Sequence, residues 1–212
     1  MKGLRSRGML PLASAVAVAF TGLGASPALA NVSLLESLMN TPTSTSACVA
    51  PSVSQPFLSV NDTNLYALLP GETPDNFAGA GWTLVDGARI VSATLADGQT
   101  GSVLDLPSGS VAISPPICIT SSYPTARTEV QNVRGAEGVF FNVSYAQANG
   151  WSAPRNTGQV HGQLSNWTLS DPIKIQPSNA PGWQLVRFGF LPGGSHSDFR
   201  IYNFFVDPRM TR

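Results

Sequence analysis

The chain has 212 residues, of which 42% are hydrophobic and only 11% are charged, and its 12 Lys and Arg side chains balance its 12 Asp and Glu side chains. This apolar content is too high for a disordered chain, and the lack of a basic excess argues against a nucleic-acid partner, because phosphate binding needs clustered positive charge. Glycine and proline are frequent, at 20 and 17 residues, which argues against long helices.

The first thirty residues have the layout of a secretory signal peptide. Lys2, Arg5 and Arg7 form a basic start, an apolar stretch follows, and residues 28–30 are a small-residue ending. A resident membrane helix would need roughly 20 consecutive apolar residues, and polar residues and a proline interrupt this stretch. We therefore predict a signal peptide over residues 1–30, removed by cleavage after Ala30.

Removal of the signal peptide would leave a mildly acidic mature chain. Residues 1–30 hold three of the 12 basic residues and none of the acidic ones, so nine basic side chains remain against 12 acidic ones, a formal charge of −3. We expect a secreted, extracellular protein that has no nucleic-acid partner and no membrane-inserted segment.

Residues 31–47 are expected to be a leader to the folded domain. The apolar cluster at 32–39 would suffice for one or two helical turns, and the Ser/Thr/Pro-rich run at 41–47 is typical of a linker. The domain itself then covers residues 48–212.

From residue 48 onward the pattern predicts a β-rich domain. Short apolar or alternating runs are separated by Pro-Gly, Asp-Gly, Ser-Gly and Asn-Gly turn signals about every 8 to 12 residues. The predicted strands are 57–60, 65–69, 82–85, 88–94, 102–106, 110–113, 125–133, 139–145, 158–161, 183–190 and 199–207. Many short strands without helices between them favour two antiparallel sheets packed face to face, so we predict an all-β sandwich of the jelly-roll type.

Two of the predicted strands can be interpreted in more detail. Strict alternation divides 199–206 into two apolar faces, one with Ile201, Asn203 and Phe205 and the other with Tyr202, Phe204 and Val206. A strand with two apolar faces is expected near the centre of a sheet. In 183–190 the even-numbered side chains are expected to face the core, and the opposite face, with Arg187 on it, is either a binding face or covered by a loop.

Cys48 and Cys118 are the two cysteines of the chain. An even number of cysteines in an exported protein predicts a disulfide. This disulfide would close a loop of about 70 residues, which stabilises a fold by roughly 4 kcal/mol in the chain-entropy model. The alternative is a pair of separate buried thiols.

The order of several short motifs resembles a group of secreted bacterial β-sandwich proteins. These motifs are Phe57, Asn61-Asp62, Tyr66, Pro70-Gly71, Gly81-Trp82, Gly87-Ala88, 106–110, 114–118, Tyr123-Pro124 and 206–209. The resemblance covers nearly all of residues 48–209. It implies a jelly roll similar to galactose-binding-like domains and carbohydrate-binding modules, with carbohydrate as the class of ligand and no implied catalytic mechanism.

The chain departs from that group in its last strand, where Tyr202-Asn203 stands in place of an acidic pair. A structural calcium ion near the terminal strands is left open, with Asp62 and Asp207 as its acidic candidates, although no EF-hand spacing occurs. No cofactor or other metal is predicted.

No catalytic site is predicted either. The run 195–198 (Ser-His-Ser-Asp) holds the residue types of a hydrolase triad, but triads are assembled from distant segments, and this run follows a Pro-Gly-Gly turn signal. His161, the other histidine, has no carboxylate or cysteine near it in sequence, and two isolated histidines do not make a zinc site. The sequence therefore favours a protein without enzymatic activity.

Aromatic rings indicate where a carbohydrate would bind, because sugars stack their C–H faces on flat rings. Trp151 lies in the loop-like run 148–154, where its ring either plugs an end of a sheet or contacts a ligand. Trp167 and Tyr145 are weaker ligand-binding candidates. The leading hypothesis is a secreted, non-catalytic module that binds a glycan or another cell-envelope polymer, and the alternative is a structural protein of the cell exterior with protein partners.

Overall fold

The computed structural model of the chain describes residues 27–39, 48–120, 125–175 and 182–207. They form one α-helix, α1 (Pro27–Met39), one 3-10 helix (Leu58–Val60) and a series of strands. In chain order the strands are β1 (Ala67–Leu68), β2 (Thr83–Val85), β3 (Arg89–Thr94), β4 (Thr100–Pro107), β5 (Val111–Ile113), β6 (Ile117–Thr120), β7 (Thr125–Arg134), β8 (Val139–Gln147), β9 (Gly150–Trp151), β10 (Arg155–Val160), β11 (Gln163–Leu164), β12 (Trp167–Leu169), β13 (Ile173–Lys174), β14 (Trp183–Pro192) and β15 (Asp198–Asp207).

The strands form two packed sheets, which confirms the predicted β-sandwich. The eight-stranded sheet has the order β11-β7-β15-β4-β3, with β1 paired to β15 and with β12 and β13 paired to β7. The seven-stranded sheet has the order β10-β8-β14-β5-β2, with β6 paired to β14 and β9 paired to β8. β15 and β14, the two longest strands near the C-terminus, therefore lie inside their sheets.

The core between the sheets is rich in phenylalanine. The rings of Phe190 and Phe204 pack edge to face with their centroids 5.1 Å apart, and Phe141 contacts Phe190 in the same way at 5.0 Å. Val186, Phe188 and Phe190 of β14 all lie in this core, as their alternation predicted. The sandwich is thus held together by rings that β8, β14 and β15 contribute from both sheets.

A β-bulge at Asn203 shows that the predicted faces of β15 were wrong. The pairing of β15 with β7 shifts between Tyr202 and Phe205, and Asn203 has a φ of 53°, in the left-handed region. Because the bulge inserts one extra residue, Ile201 and Phe204 both belong to the core, whereas Tyr202 and Phe205 lie in separate outer clusters.

Two side chains from the segment after β1 hold the bulge in place. The backbone N–H of Asp75 donates to Oδ1 of Asn203 at 2.9 Å, and Nδ2 of Asn203 donates to Oδ1 of Asp75 at 2.8 Å. The backbone N–H of Phe204 donates to Oε2 of Glu72 at 3.3 Å. The groups that the bulge removes from the strand ladder are thus bonded locally.

The predicted strand at 57–60 was also wrong, because Leu58–Val60 is the 3-10 helix. Asn61 ends it in the left-handed conformation, with a φ of 61°. The predicted disulfide is confirmed: Cys48 and Cys118 are bonded, with their Cα atoms 5.6 Å apart. Since Cys118 lies in β6, this bond attaches the start of the domain to the seven-stranded sheet.

α1 covers the outer face of the seven-stranded sheet. Its buried side chains Leu35 and Met39 pack against apolar side chains of β5 and β14. Gly189 of β14 permits this approach, because a Cβ at that position would lie 2.5 Å from Cδ1 of Leu35. The cover over the Arg187 face is therefore a helix rather than a loop.

Ala30, after which we predict signal-peptide cleavage, lies within α1. The division of the chain at residues 30 and 47 stays a prediction. No helix in the described part of the chain is long and apolar enough to cross a membrane.

The left-handed backbone at Asn203 should make this residue important for stability. Asn203→Val would remove both hydrogen bonds to Asp75 and force a β-branched residue to a positive φ, so we expect the free energy of unfolding to fall by about 2 to 4 kcal/mol in urea denaturation. Asn203→Gly is the control, because it loses the same hydrogen bonds without the backbone strain and should cost less. Equal losses for the two variants would show that the left-handed conformation does not matter.

The stability of the fold should depend on pH through Glu72. Burial raises the pKa of Glu72 from its usual 4.5 to about 8, and Oε1 of this residue is buried without a hydrogen-bond partner among the described residues. Since the unfolded chain releases this proton at lower pH than the folded chain, Glu72 makes stability fall as the pH rises from about 5 to 8.

Glu72→Gln should therefore flatten the decrease in Tm between pH 5 and pH 8, measured by thermal denaturation followed by circular dichroism. A residual slope will remain, because burial also raises the pKa values of Glu129 and Asp198. Glu36→Gln, on the exposed side of α1, is the control and should keep the wild-type slope. A Glu72→Gln slope as steep as that of the wild type would contradict the assignment.

Candidate functional site

The three aromatic residues nominated from the sequence lie in three separate places. Tyr145 is buried in the core, where its hydroxyl donates to the carbonyl oxygen of Ile175 at 3.3 Å. Trp151 is buried against Arg187 on the outer face of the seven-stranded sheet. Trp167 is half-buried on the outer face of the eight-stranded sheet, so the three residues do not form one groove.

A row of mostly polar side chains crosses the outer face of the eight-stranded sheet. Cross-strand pairing aligns one residue from each of five strands, β12, β7, β15, β4 and β3, in the order Trp167, Gln131, Arg200, Asp105 and Arg89. Directly paired residues of antiparallel strands point to the same face, so these side chains form one line, which we call the Trp167 row. With strands about 4.8 Å apart, the row is about 19 Å long.

Asp105 fixes the two arginines of the Trp167 row. Its carboxylate is buried, and Oδ1 lies 3.1 Å from Nε of Arg200 while Oδ2 lies 2.5 Å from Nη2 of Arg89. The arginine side chains are 32% and 57% exposed, so each guanidinium keeps part of its surface in solvent. Because a guanidinium carries five N–H donors, both arginines retain donors for a further partner.

A second ion pair extends this charged surface beyond the row. Nε of Arg134 lies 3.8 Å from Oδ2 of Asp198, on the strands that carry Gln131 and Arg200. Burial and the nearby charge of Asp105 raise the pKa of Asp198, although the surrounding arginines act in the opposite direction. The surface therefore combines several cations with carboxylates that hold them in place.

Trp167 is held in one orientation at the end of the row. Its Nε1 donates to the carbonyl oxygen of Thr94 at 2.7 Å, and its ring packs edge to face on Tyr202 with the centroids 4.7 Å apart. The backbone N–H of Ala96 donates to the hydroxyl of Tyr202 at 3.2 Å. Thr94 and Ala96 belong to the end of the β3–β4 hairpin, so this hairpin lies over Tyr202 and borders the Trp167 row.

A groove lies at the edge of the sandwich, apart from the Trp167 row. It has a volume of about 610 Å³ and runs between β10 and the segment 168–174. Thr157, His161, Thr168 and Asp171 are among its lining residues, and no Trp, Tyr or Phe lines it in the described part of the chain. The groove offers polar contacts but lacks the flat ring that the Trp167 row provides.

Only part of the hydrolase-like run forms the predicted polar turn: Ser195 and His196 lie in a turn, whereas Ser197 is buried and Asp198 begins β15. Oγ of Ser195 lies 2.9 Å from Nδ1 of His196, and both residues are exposed. The carboxylate of Asp198 is directed to Arg134 instead. Among the described residues, this run therefore does not align a nucleophile, a histidine and an acid.

The calcium candidates are placed apart from any cluster of ligands. Asp62 accepts hydrogen bonds from the hydroxyl of Tyr66 at 2.8 Å and from Nη1 of Arg127 at 2.9 Å, while Asp207 is fully buried at the end of β15. In the described ranges, no group of three or more His, Cys, Asp or Glu side chains is arranged to hold a metal ion. Asp62 thus serves to fix Arg127 and Tyr66.

No protein-family model and no curated protein matches the chain. Among solved structures, the CBM22-1 xylan-binding domain of Paenibacillus barcinonensis Xyn10C is similar at 14% identity and a TM-score of 0.40, over 62% of this chain and 88% of that one. TmCBM61, solved in complex with β-1,4-galactotriose, is similar at 11% identity and a TM-score of 0.37, over 60% and 88% of the two chains.

A xylan-binding domain from family CBM22 is similar at 12% identity and a TM-score of 0.41, over 69% of this chain and 95% of that one. All three of these solved structures are carbohydrate-binding modules. At these identities and TM-scores, a ligand for this chain has to be argued from its own side chains.

The sequence predicts only one member of the Trp167 row. The sequence indicates Trp167 only as an isolated ring, and nothing in the sequence near it points to Arg200, Asp105 or Arg89, which lie on other strands. The register of the five strands brings these residues into one line, and this register is known only from the three-dimensional structure.

Proposed function

We propose that the chain is a secreted, non-catalytic glycan-binding module and that the Trp167 row is its binding surface. The observation that supports this proposal most directly is the composition of the row, in which a partly exposed indole ring lies in line with the amide of Gln131 and the guanidinium of Arg200. Sugars have apolar C–H faces and many hydroxyl groups, so they need a flat ring together with hydrogen-bonding groups.

Contacts within the protein already orient two side chains of the row. The Trp167 ring is held by Thr94 and Tyr202, and Arg200 is held by the buried carboxylate of Asp105. Binding loses affinity when side chains have to be ordered, so side chains that are already fixed favour recognition of a weakly hydrophobic ligand. A length of about 19 Å favours an oligosaccharide over a single sugar unit.

Secretion is part of the same proposal. The three-part N-terminus predicts export, and the disulfide between Cys48 and Cys118 is of the kind that persists in oxidising compartments. A binding module outside the cell would meet polysaccharides of the envelope or the surroundings.

The third prediction tests the Trp167 row with the mature chain. A glycan array that includes xylan-, galactan- and pectin-derived oligosaccharides should identify a ligand, and isothermal titration calorimetry should then give its affinity. Trp167→Ala removes the stacking ring, and we expect affinity to fall by about tenfold, since ring contacts contribute about 1 kcal/mol or more. Gln131→Ala removes one hydrogen-bonding group and leaves the ring contact between Trp167 and Tyr202 in place, so it should weaken binding by a smaller factor.

Trp183→Ala is the matched control, because Trp183 is also half-buried but lies on the seven-stranded sheet. It should keep wild-type affinity. The proposal fails if the array gives no signal for any oligosaccharide, or if folded Trp167→Ala and Gln131→Ala bind the identified glycan as well as Trp183→Ala does.

A further inference from the structure

A second surface with an indole ring and a guanidinium lies beneath the C-terminal end of α1. The guanidinium of Arg187 in β14 lies over the ring of Trp151 in β9, 4.4 Å from its centroid. Arg187 is paired with Ser144 of β8, so the two side chains are neighbours on the same outer face. We call Trp151, Arg187 and Ser144 the Arg187 platform.

Two polar atoms of the platform are buried without a partner. Arg187 is 7% exposed and Ser144 is 0% exposed. Nε of Arg187 and Oγ of Ser144 have no hydrogen-bond partner among the described residues. Buried polar groups are normally bonded, so two unbonded polar atoms on paired residues indicate that their surroundings do not satisfy them fully.

α1 provides hydrogen-bond acceptors for only part of the Arg187 guanidinium. Nη2 of Arg187 donates to the backbone carbonyl oxygens of Leu38 and Met39, the last residues of α1. The C-terminal end of a helix carries only a partial negative charge. The end of α1 therefore stabilises the guanidinium of Arg187 less than a full anion would. Burial lowers the pKa of Arg187 to about 10, which leaves it cationic at neutral pH.

A carboxylate fits the platform better than the helix end does. Its two oxygens match the Nε and Nη2 donors of a guanidinium in a paired arrangement and bring a full negative charge. The hydroxyl of Ser144 would become a donor to the same group. The ring of Trp151 would hold the guanidinium in place through its cation–π contact.

Few side chains of α1 hold it to the sheet. Only Leu35 and Met39 of its described side chains are fully buried, while Val32, Ser33, Glu36 and Ser37 are exposed. Helices of about this length are marginal in water without packing, so release from the sheet would also unfold the helix. The predicted cleavage after Ala30 would shorten it further, to residues 31–39.

We propose that the Arg187 platform is a binding site for a carboxylate-bearing sugar, a uronic acid unit, and that α1 closes this site until it is displaced. The carboxylate is assigned from Arg187 and Ser144, and the choice of a sugar as its carrier rests on the proposed function. Molecules in which α1 covers the platform cannot bind the sugar, so they lower the apparent affinity of the protein for it. Weakening the contacts of α1 with the sheet should therefore raise that apparent affinity.

The fourth prediction tests the cover, with trigalacturonate as the probe and calorimetry at pH 7. Leu35→Ser/Met39→Ser removes the buried contacts of α1 without touching the platform, and we expect it to bind trigalacturonate at least tenfold more tightly than Val32→Ser does. Val32→Ser is the control, since it changes an exposed apolar side chain of the same helix. The methyl ester of trigalacturonate, which is neutral, should show no such gain.

Further substitutions in the Leu35→Ser/Met39→Ser background test the platform itself. Ser144→Ala should lower the affinity for trigalacturonate several-fold without lowering Tm, because the Ser144 hydroxyl has no hydrogen-bond partner among the described residues. Arg187→Met should abolish the gain in affinity for trigalacturonate that the double variant shows. Trp167→Ala should leave the gain intact. If Trp167→Ala removes the gain and Arg187→Met does not, the uronate binds the Trp167 row, and the platform proposal fails while the proposed function stands.

Two other results would overturn the platform proposal. One is equal affinity of Leu35→Ser/Met39→Ser and Val32→Ser for trigalacturonate when both show native β-sheet circular dichroism. The other is an equal gain for trialanine, whose only anionic group is its terminal carboxylate, because the site would then not select a sugar. A third outcome would separate the two proposals. If Leu35→Ser/Met39→Ser binds trigalacturonate more tightly, but no glycan of the array needs Trp167 for binding, the platform proposal is supported and the Trp167 row is refuted as a binding surface.

Discussion

The single extra residue at Asn203 decides which side chains of β15 reach each face of the eight-stranded sheet. Before the bulge, Ile201 points into the core and Tyr202 points out; after it, Phe204 points into the core and Phe205 points out. Phe204 thereby packs against the rings of Phe190 and other core residues, while Tyr202 becomes the support on which Trp167 rests. One backbone irregularity therefore completes both the core and the proposed binding surface.

The bulge also explains how much of the fold could be predicted from the sequence. Alternation correctly placed Phe188 and Phe190 of β14 in the core, because that strand is regular there, and it failed in β15, because a residue at positive φ breaks the two-residue period. Asparagine is among the residues that tolerate this conformation, but many asparagines do not adopt it. What fixes Asn203 is its contact with Asp75, a residue more than a hundred positions away in the chain.

Short elements were the other source of error. Phe57 to Val60 has the apolar composition of a strand but forms a 3-10 turn, closed by Asn61 in the left-handed conformation. β11, β12 and β13 have only two or three residues each, so they are too short to show a period of two. Trp167 lies in one of them, which is why its neighbours in the sheet could not be named. The burial of Trp151 likewise depends on α1, part of a segment that the sequence suggested was a leader.

The two outer faces of the sandwich differ in what balances their positive charge. On the eight-stranded sheet the guanidinium groups of Arg89 and Arg200 share the single buried carboxylate of Asp105, so this surface presents fixed N–H donors whose charge the protein itself balances in part. Donors of that kind suit the hydroxyl groups of a neutral glycan. On the seven-stranded sheet Arg187 contacts the carbonyl oxygens at the end of α1 and not a carboxylate of the described residues. Among the described residues a helix end is what balances its charge, and the proposed ligand, which brings its own negative charge, would replace that end. We therefore propose different ligands for the same pair of side chains, an indole and a guanidinium, because in the described part of the chain only the eight-stranded sheet pairs its guanidinium groups with a carboxylate.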